Sequence, residues 1–436
     1  MKRNNKHSRN RKLSISRRDF LTGTAAAAAG LLAGCGPTEQ PTATPPEPTA
    51  PPTATPTPPL ASNYWPTRGW RTSTPEAQGM DSGTLVRMLQ YIKNQHIDIR
   101  SMVIVRNGYV VAEVYYHPFL PDVKNLLASA TKSFTSALVG IAVEQDYIKG
   151  VDESVLDLFS DRTVANVDSR KEAITLRHLL TMSSGLDWED ADVGQMFSSE
   201  NCCTQYVLDK PMAHDPGDQW NYNEGGSHVL SVLIQERSGM STLDFARTYL
   251  FEPLGITDVV WNPAPDGIAY GGHFLYLTPH DMAKFGYLYL NGGLWDGQQV
   301  VSADWVSASA QPWMRSDWGA DYGYQWWVDP SGRYYFASGY GEQRIFVVPD
   351  KKLVVVFTAD ITPEERDDAT GSLLDGFIIP AAMSSSPLPE NPEAVATLQS
   401  LSDAAAHPEP KPVPPLPGLT QSISGRTYVF EDNPDG

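Results

Sequence analysis

Between residues 64 and about 383 the apolar positions recur with two alternating periods. Leu85, Met88, Leu89 and Ile92 follow Thr74-Pro75-Glu76 and Asp81 at helical spacing, which predicts an amphipathic helix resting on a sheet. Residues 101–105 and 109–116 flank Asn107-Gly108, a pair that tolerates the left-handed backbone of a two-residue turn, so a β-hairpin is predicted. Further strands are predicted at 334–337, 344–348 and 353–358, with Pro349-Asp350-Lys351-Lys352 as the turn between the last two. A long, mostly helical region with Trp- and Gly-rich loops separates the two strand groups. That order predicts an α/β (α+β) domain: an antiparallel sheet built from both ends of the segment, flanked by helices and carrying a helical subdomain.

The pattern stops at both ends. Ten Pro and seven Thr fill residues 36–59, a composition that buries no core and extends as a tether of up to roughly 75 Å. A second Pro-rich break runs over 387–417, after which 422–430 reads as one strand, too little to fold alone. The expected division is a signal at 1–34, a tether at 35–60, the folded domain at 61–385, and a tail at 386–436 holding an incomplete β module.

Charge sharpens the N-terminal end. The 436-residue chain has a formal net charge of −18, yet eight of its 33 basic residues and only one acid lie in the first 34 positions, so the remainder stands at −25. A body this acidic argues against nucleic acid or anionic lipid as its main partner. The basic head leads through Arg17-Arg18 into an apolar run over 20–33, shorter than a membrane span. It resembles a twin-arginine export signal, and Leu32-Ala33-Gly34-Cys35 resembles a bacterial lipobox with Cys35 as the lipidated residue. The expectation is an exported lipoprotein anchored to the outer face of the cytoplasmic membrane, or to the periplasmic face of an envelope membrane. Three cysteines make no disulfide framework, and adjacent Cys202 and Cys203 are poorly placed to bridge each other. His214, His273 and His280 share no ligand spacing with a carboxylate or cysteine, so no metal and no cofactor are expected.

There is no G-x-S-x-G elbow, H-E-x-x-H or Walker loop. Ser129-Ala130-Thr131-Lys132 is the only S-x-x-K, and apolar, helix-compatible residues follow it. Residues three apart share a helix face, so the Lys132 amine can reach the Ser129 hydroxyl. The helix N-terminus disfavours an ammonium, pushing Lys132 toward the neutral form of a general base, and aims backbone N–H groups at a developing oxyanion. The same residues also fit an N-capping serine with a solvated lysine one turn on. Tyr222, in a small-residue turn before the apolar stretch 229–235, suits either a proton relay or packing. Ala337-Ser338-Gly339-Tyr340-Gly341 ends a predicted strand and can hold a substrate along its edge. His178 suits a structural role. Trp326-Trp327, Tyr322 and Tyr324 fit a core or a cleft wall.

Ser129-x-x-Lys132, the stretch Thr175-Leu176-Arg177-His178-Leu179-Leu180-Thr181-Met182-Ser183-Ser184-Gly185-Leu186, the run from Pro216-Gly217 to Tyr222, and Leu277-Thr278-Pro279-His280-Asp281-Met282 together resemble the serine β-lactamase-related family. That family includes class C β-lactamases, D-alanyl-D-alanine carboxypeptidases, family VIII esterases and 6-aminohexanoate-dimer hydrolases. The resemblance covers about 320 residues and implies the penicillin-recognising fold and an acyl-enzyme mechanism. By position it implies Ser129 as nucleophile, Lys132 as its base, Tyr222 as proton relay, and Ser338, Gly339 and Tyr340 as substrate strand and oxyanion site. Two departures stand out. Tyr222-Asn223-Glu224 replaces Tyr-x-Asn, and Ala337-Ser338-Gly339 replaces Lys-Thr-Gly or His-x-Gly. The strand cation that pairs with a substrate carboxylate is therefore missing, and Glu224 repels such a group if it faces the site. Arg344 is the candidate substitute cation. These features imply a serine hydrolase for a neutral ester or linear amide, with β-lactam or D-Ala-D-Ala turnover, or a non-catalytic cell-wall or partner-binding module, as alternatives.

Overall fold

The computed structural model describes residues 64–199, 203–362, 368–409 and 418–427. The expected signal, Cys35 and tether lie outside them. Among the described residues no helix is long and apolar enough to cross a membrane.

Nine strands form the main sheet: β1 (Arg71–Thr72), β2 (Ile99–Arg106), β3 (Tyr109–Tyr115), β4 (Met314–Arg315), β5 (Asp321–Tyr322), β6 (Trp327–Val328), β7 (Tyr335–Gly339), β8 (Gln343–Val348) and β9 (Leu353–Ala359). Their order across the sheet is β1-β3-β2-β9-β8-β7-β6-β5-β4, antiparallel throughout except for the β1–β3 pair. The expected joining of both chain ends occurs where β2 runs against β9, with Val105 opposite Val354 and Val103 opposite Val356. At the β2–β3 turn Asn107 and Gly108 both take positive φ, 50° and 83°, as the two-residue loop requires.

Side chains alternate across a strand, so a sheet covered on both faces needs apolar residues at successive positions. Val103, Val105, Ile345, Val347, Val354 and Val356 face one core, whereas Met102, Ile104, Phe346, Val348, Val355 and Phe357 face the other. Helix α1 (Ser82–Gln95) covers the second face through Leu85, Met88, Leu89 and Ile92. Its N-cap, Asp81, accepts from the Thr84 N–H at 2.9 Å. The first face is covered by α2 (Thr131–Glu144) and α4 (Pro279–Leu290), and α3 (Glu224–Ser238) packs on α2 in the same core. Thr278 caps α4 and Pro279 occupies its first turn. Gly286 lets α4 lie close on the sheet, because a Cβ there would stand 2.6 Å from Val354 Cγ1.

The expected tail is corrected in two places. Residues 392–406 form a helix, α5 (Pro392–Ala406), with Leu398 buried in the α1-side core. The His117 N–H donates to the Ala405 carbonyl at 3.0 Å, so the folded domain extends past 385. Asn391 caps α5 and Pro392 starts it, a helix-start signal that the local proline density obscured. The predicted strand at 422–430 begins instead inside a short helix, Gly418–Ile423, and residues 428–430 lie outside the described ones.

Candidate active site

The turn before α2 carries the first pair of groups. Ala128–Ala130 is a single 3₁₀ turn, and Ala128 has φ 48°, a left-handed conformation unusual for a residue with a Cβ. Ser129 is half-buried, whereas Lys132, one turn on, is 1% exposed. Lys132 Nζ donates to Ser129 Oγ at 3.0 Å and to the Gly272 carbonyl at 2.8 Å, and lies 3.4 Å from Glu224 Oε1. It also stands 4.8 Å from the centre of the Tyr222 ring.

This environment corrects the expected charge on Lys132. Burial favours the neutral amine, but Tyr222 and Glu224, through charge and hydrogen bonding, outweigh it and raise the lysine above its ordinary range. The expectation considered the helix end, worth about 0.3–1 kcal/mol, and left out a carboxylate in contact.

Tyr222 and Glu224 are delivered by the start of α3. Asn223 is its N-cap, with Oδ1 accepting from the Gly226 N–H at 2.8 Å. The residues on either side of the cap therefore meet Lys132 from two directions. Glu224 Oε2 also accepts from the Tyr270 hydroxyl at 3.5 Å. Burial, then Glu224 and Tyr222, raise the Tyr270 phenol well above its usual range. The loop holding Tyr270 packs tightly on α3: a Cβ at Gly271 would lie 2.3 Å from the Ser227 carbonyl. Burial and nearby Lys132 push His273 down to about 4, so it is neutral at neutral pH. Tyr270, Gly272 and His273 were missed as site residues. Their signal was the Gly271-Gly272 pair within an apolar stretch, a mark of close backbone approach.

The end of β7 closes the site. Its ladder with β6 stops at Phe336, paired with Trp327. Gly339 abuts the Ser129 turn so closely that a Cβ would stand 2.1 Å from the Leu127 carbonyl and 3.1 Å from the Ala130 nitrogen. Ala337 packs with Leu127 and Ala130 in the same core. Ser338 alternates to the other face, in register with Arg344, and Tyr340 is 66% exposed. The Arg344 guanidinium, expected as the substitute cation, pairs with Asp368 at 3.5 Å and lies 5.4 Å from the Phe336 ring centre. Strand alternation puts it on the Phe346 side.

Other expected residues fall into place. His178 Nδ1 accepts from the Thr175 N–H at 3.0 Å in a capping box, a structural role. Trp326, Tyr322 and Tyr324 are core, while Trp327 stacks on Tyr222 at 6.4 Å. Cys203 is buried, and its sulfur, His228 and Asp266 offer donor atoms within 4.8 Å of one another. His228 Nε2 and Asp266 Oδ2 are 2.8 Å apart, a hydrogen-bond spacing; ligands of tetrahedral zinc at about 2.0 Å would stand roughly 3.3 Å apart.

The Beta-lactamase family model matches residues 86–376, two thirds of the chain. The chain belongs to the Beta-lactamase family. Penicillin-binding protein 4* of Bacillus subtilis is 32% identical over 190 residues, covering 39% of this chain and 40% of the relative. The 6-aminohexanoate-dimer hydrolase of Paenarthrobacter ureafaciens is 24% identical over 219 residues, covering 48% and 56%. The chain thus spans between two fifths and just over half the length of these curated relatives. A solved family VIII carboxylesterase superposes with a TM-score of 0.56 at 15% identity, covering 71% of this chain and 98% of that one. This likeness shows the expected penicillin-recognising fold.

Proposed function

We propose that this Beta-lactamase family member is a serine hydrolase that cleaves a neutral ester or linear amide through an acyl-enzyme on Ser129. The observation that carries the proposal is the buried Lys132 Nζ, 3.0 Å from the accessible Ser129 Oγ and held between Tyr222 and Glu224. The Lys132–Tyr222 pair acts in the form that has already given up one proton, so it can take the Oγ proton as Oγ adds to the carbonyl carbon. The pair returns that proton to the leaving oxygen or nitrogen as its bond to carbon breaks, and water then releases the acid by the same path in reverse. The N–H groups of Ser129 and Tyr340 are the proposed oxyanion donors, and the open edge of β7 holds the acyl side. Ala337, the Arg344–Asp368 pair and Glu224 disfavour a substrate carboxylate.

Ser129→Ala in the full chain should lower p-nitrophenyl acyl ester hydrolysis by at least about a thousandfold, and a fluorophosphonate probe should label the unmodified protein at Ser129. Turnover undiminished by the substitution removes Ser129 as nucleophile. Labelling by penicillin moves the substrate toward β-lactams or D-alanyl peptides, and an intact protein that neither probe labels is a binding module.

The N-terminal features support a second proposal, export and lipid anchoring at Cys35. The full chain expressed in a bacterial host should partition into the detergent phase, and Cys35→Ala should move it to the aqueous phase. Unchanged partitioning refutes a lipid at Cys35.

A further inference from the structure

Tyr222 has aromatic neighbours that the proposed acyl transfer does not itself require. Trp318 lies 5.0 Å from it, Trp220 6.0 Å and Trp327 6.4 Å, centre to centre. Trp318 stacks on Trp327 at 5.5 Å with 18° between their planes, and Trp220 meets Trp318 edge-on at 5.1 Å. Phe336, last in the β6–β7 ladder, continues the stack beneath Trp327 at 6.4 Å. Trp327 is 8% exposed, but Trp318 keeps 38% of its surface open to solvent. The result is an aromatic wall with a solvent-facing indole, built around the side chain assigned to proton return.

Position then decides which half of the substrate meets the wall. Under the proposed mechanism, Tyr222 protonates the departing oxygen or nitrogen, so the group attached to that atom lies beside Tyr222, while the acyl portion follows the β7 edge. We propose that the leaving group is an uncharged aromatic alcohol or amine of the arylmethyl type, seated against Trp318 and Trp220. This inference rests on the hydrolase reading and adds the leaving-group class to it. Aromatic pairs gain energy beyond their burial, which favours a flat ring over an alkyl group of equal size. A cationic leaving group would also suit tryptophan faces. Here the Lys132 amine already stands 4.8 Å from the centre of the Tyr222 ring, so that ring is taken by one cation.

The test keeps the acyl group constant and varies the alcohol: ethyl, cyclohexylmethyl, benzyl and 2-naphthylmethyl acetates, and acetylcholine, with the full chain. Benzyl and naphthylmethyl acetates should exceed cyclohexylmethyl acetate in kcat/KM by roughly three- to tenfold. Trp318→Ala should bring that ratio close to one, mainly through KM, and Trp318→Phe should retain much of it. Equal rates for benzyl and cyclohexylmethyl acetates, a ratio untouched by Trp318→Ala, or preference for acetylcholine overturns the inference while leaving the hydrolase reading intact. If no ester is turned over and a fluorophosphonate probe leaves Ser129 unlabelled, the hydrolase reading fails instead. Saturation-transfer NMR with benzyl alcohol on Ser129→Ala protein then decides the wall by itself: a signal lost on adding Trp318→Ala supports it, and no signal overturns it.

Discussion

At the centre of the sheet, where β2, β9 and β8 run side by side, both faces are apolar and successive residues feed two separate cores. Each residue there obeys its local preference, and stability follows from burial alone. At the end of β7 the same sheet meets the Ser129 turn under different terms. Ala128 is left-handed, Lys132 is buried with its charge compensated by Glu224 and Tyr222, and Gly339 leaves no room for a methyl group. The comparison separates what holds the molecule together from what places its reactive groups. At the site a left-handed alanine and a buried lysine are held by the packing around them.

The sharpest way to break this comparison is one substitution in each region. Gly339→Ala drives a Cβ against the Leu127 carbonyl, and the Ser129 turn must move to relieve it. Ester hydrolysis should fall by about a hundredfold or more, with a stability loss of only about 1–3 kcal/mol. Phe357→Ala empties part of the α1-side core and should cost about 3–5 kcal/mol in denaturant melts, yet the folded fraction should keep near-normal kcat. If Gly339→Ala keeps full activity, or Phe357→Ala loses kcat in protein shown to be folded, the two regions are not separable in this way.

A smaller effect sharpens the account of Lys132. Its raised folded value means the ion pair with Glu224 stabilises the fold below the lysine's unfolded value and loses that contribution as pH rises through the folded one. Glu224→Gln removes a cause of the rise, so the rising limb of kcat against pH should move to lower pH. An unmoved limb would show that Glu224 does not set the charge on Lys132.

Much of this was legible along the chain. The α1 periodicity, the Asn107-Gly108 hairpin, the strands that became β7, β8 and β9, and the spacing of Ser129 and Lys132 are all local signals. Helix α5 was lost because Pro392 sits among prolines that break structure, while its own role is to start a helix. The charge on Lys132, the pairing of Arg344 with Asp368, and the placing of Trp318 and Trp327 beside Tyr222 involve partners separated by 24 to 105 positions.

Hydrophobic periodicity, caps and turn residues act within a few positions, so the sequence by itself determined helix α1, the β2–β3 hairpin, strands β7 to β9, and a serine and lysine on one helical turn. The tertiary structure alone decided that Glu224 compensates Lys132, that Arg344 is tied to Asp368, and that Trp318 and Trp327 stand beside Tyr222. Charge compensation and ring stacking depend on distances of a few ångströms across the fold, and those distances exist only once the chain has closed on itself.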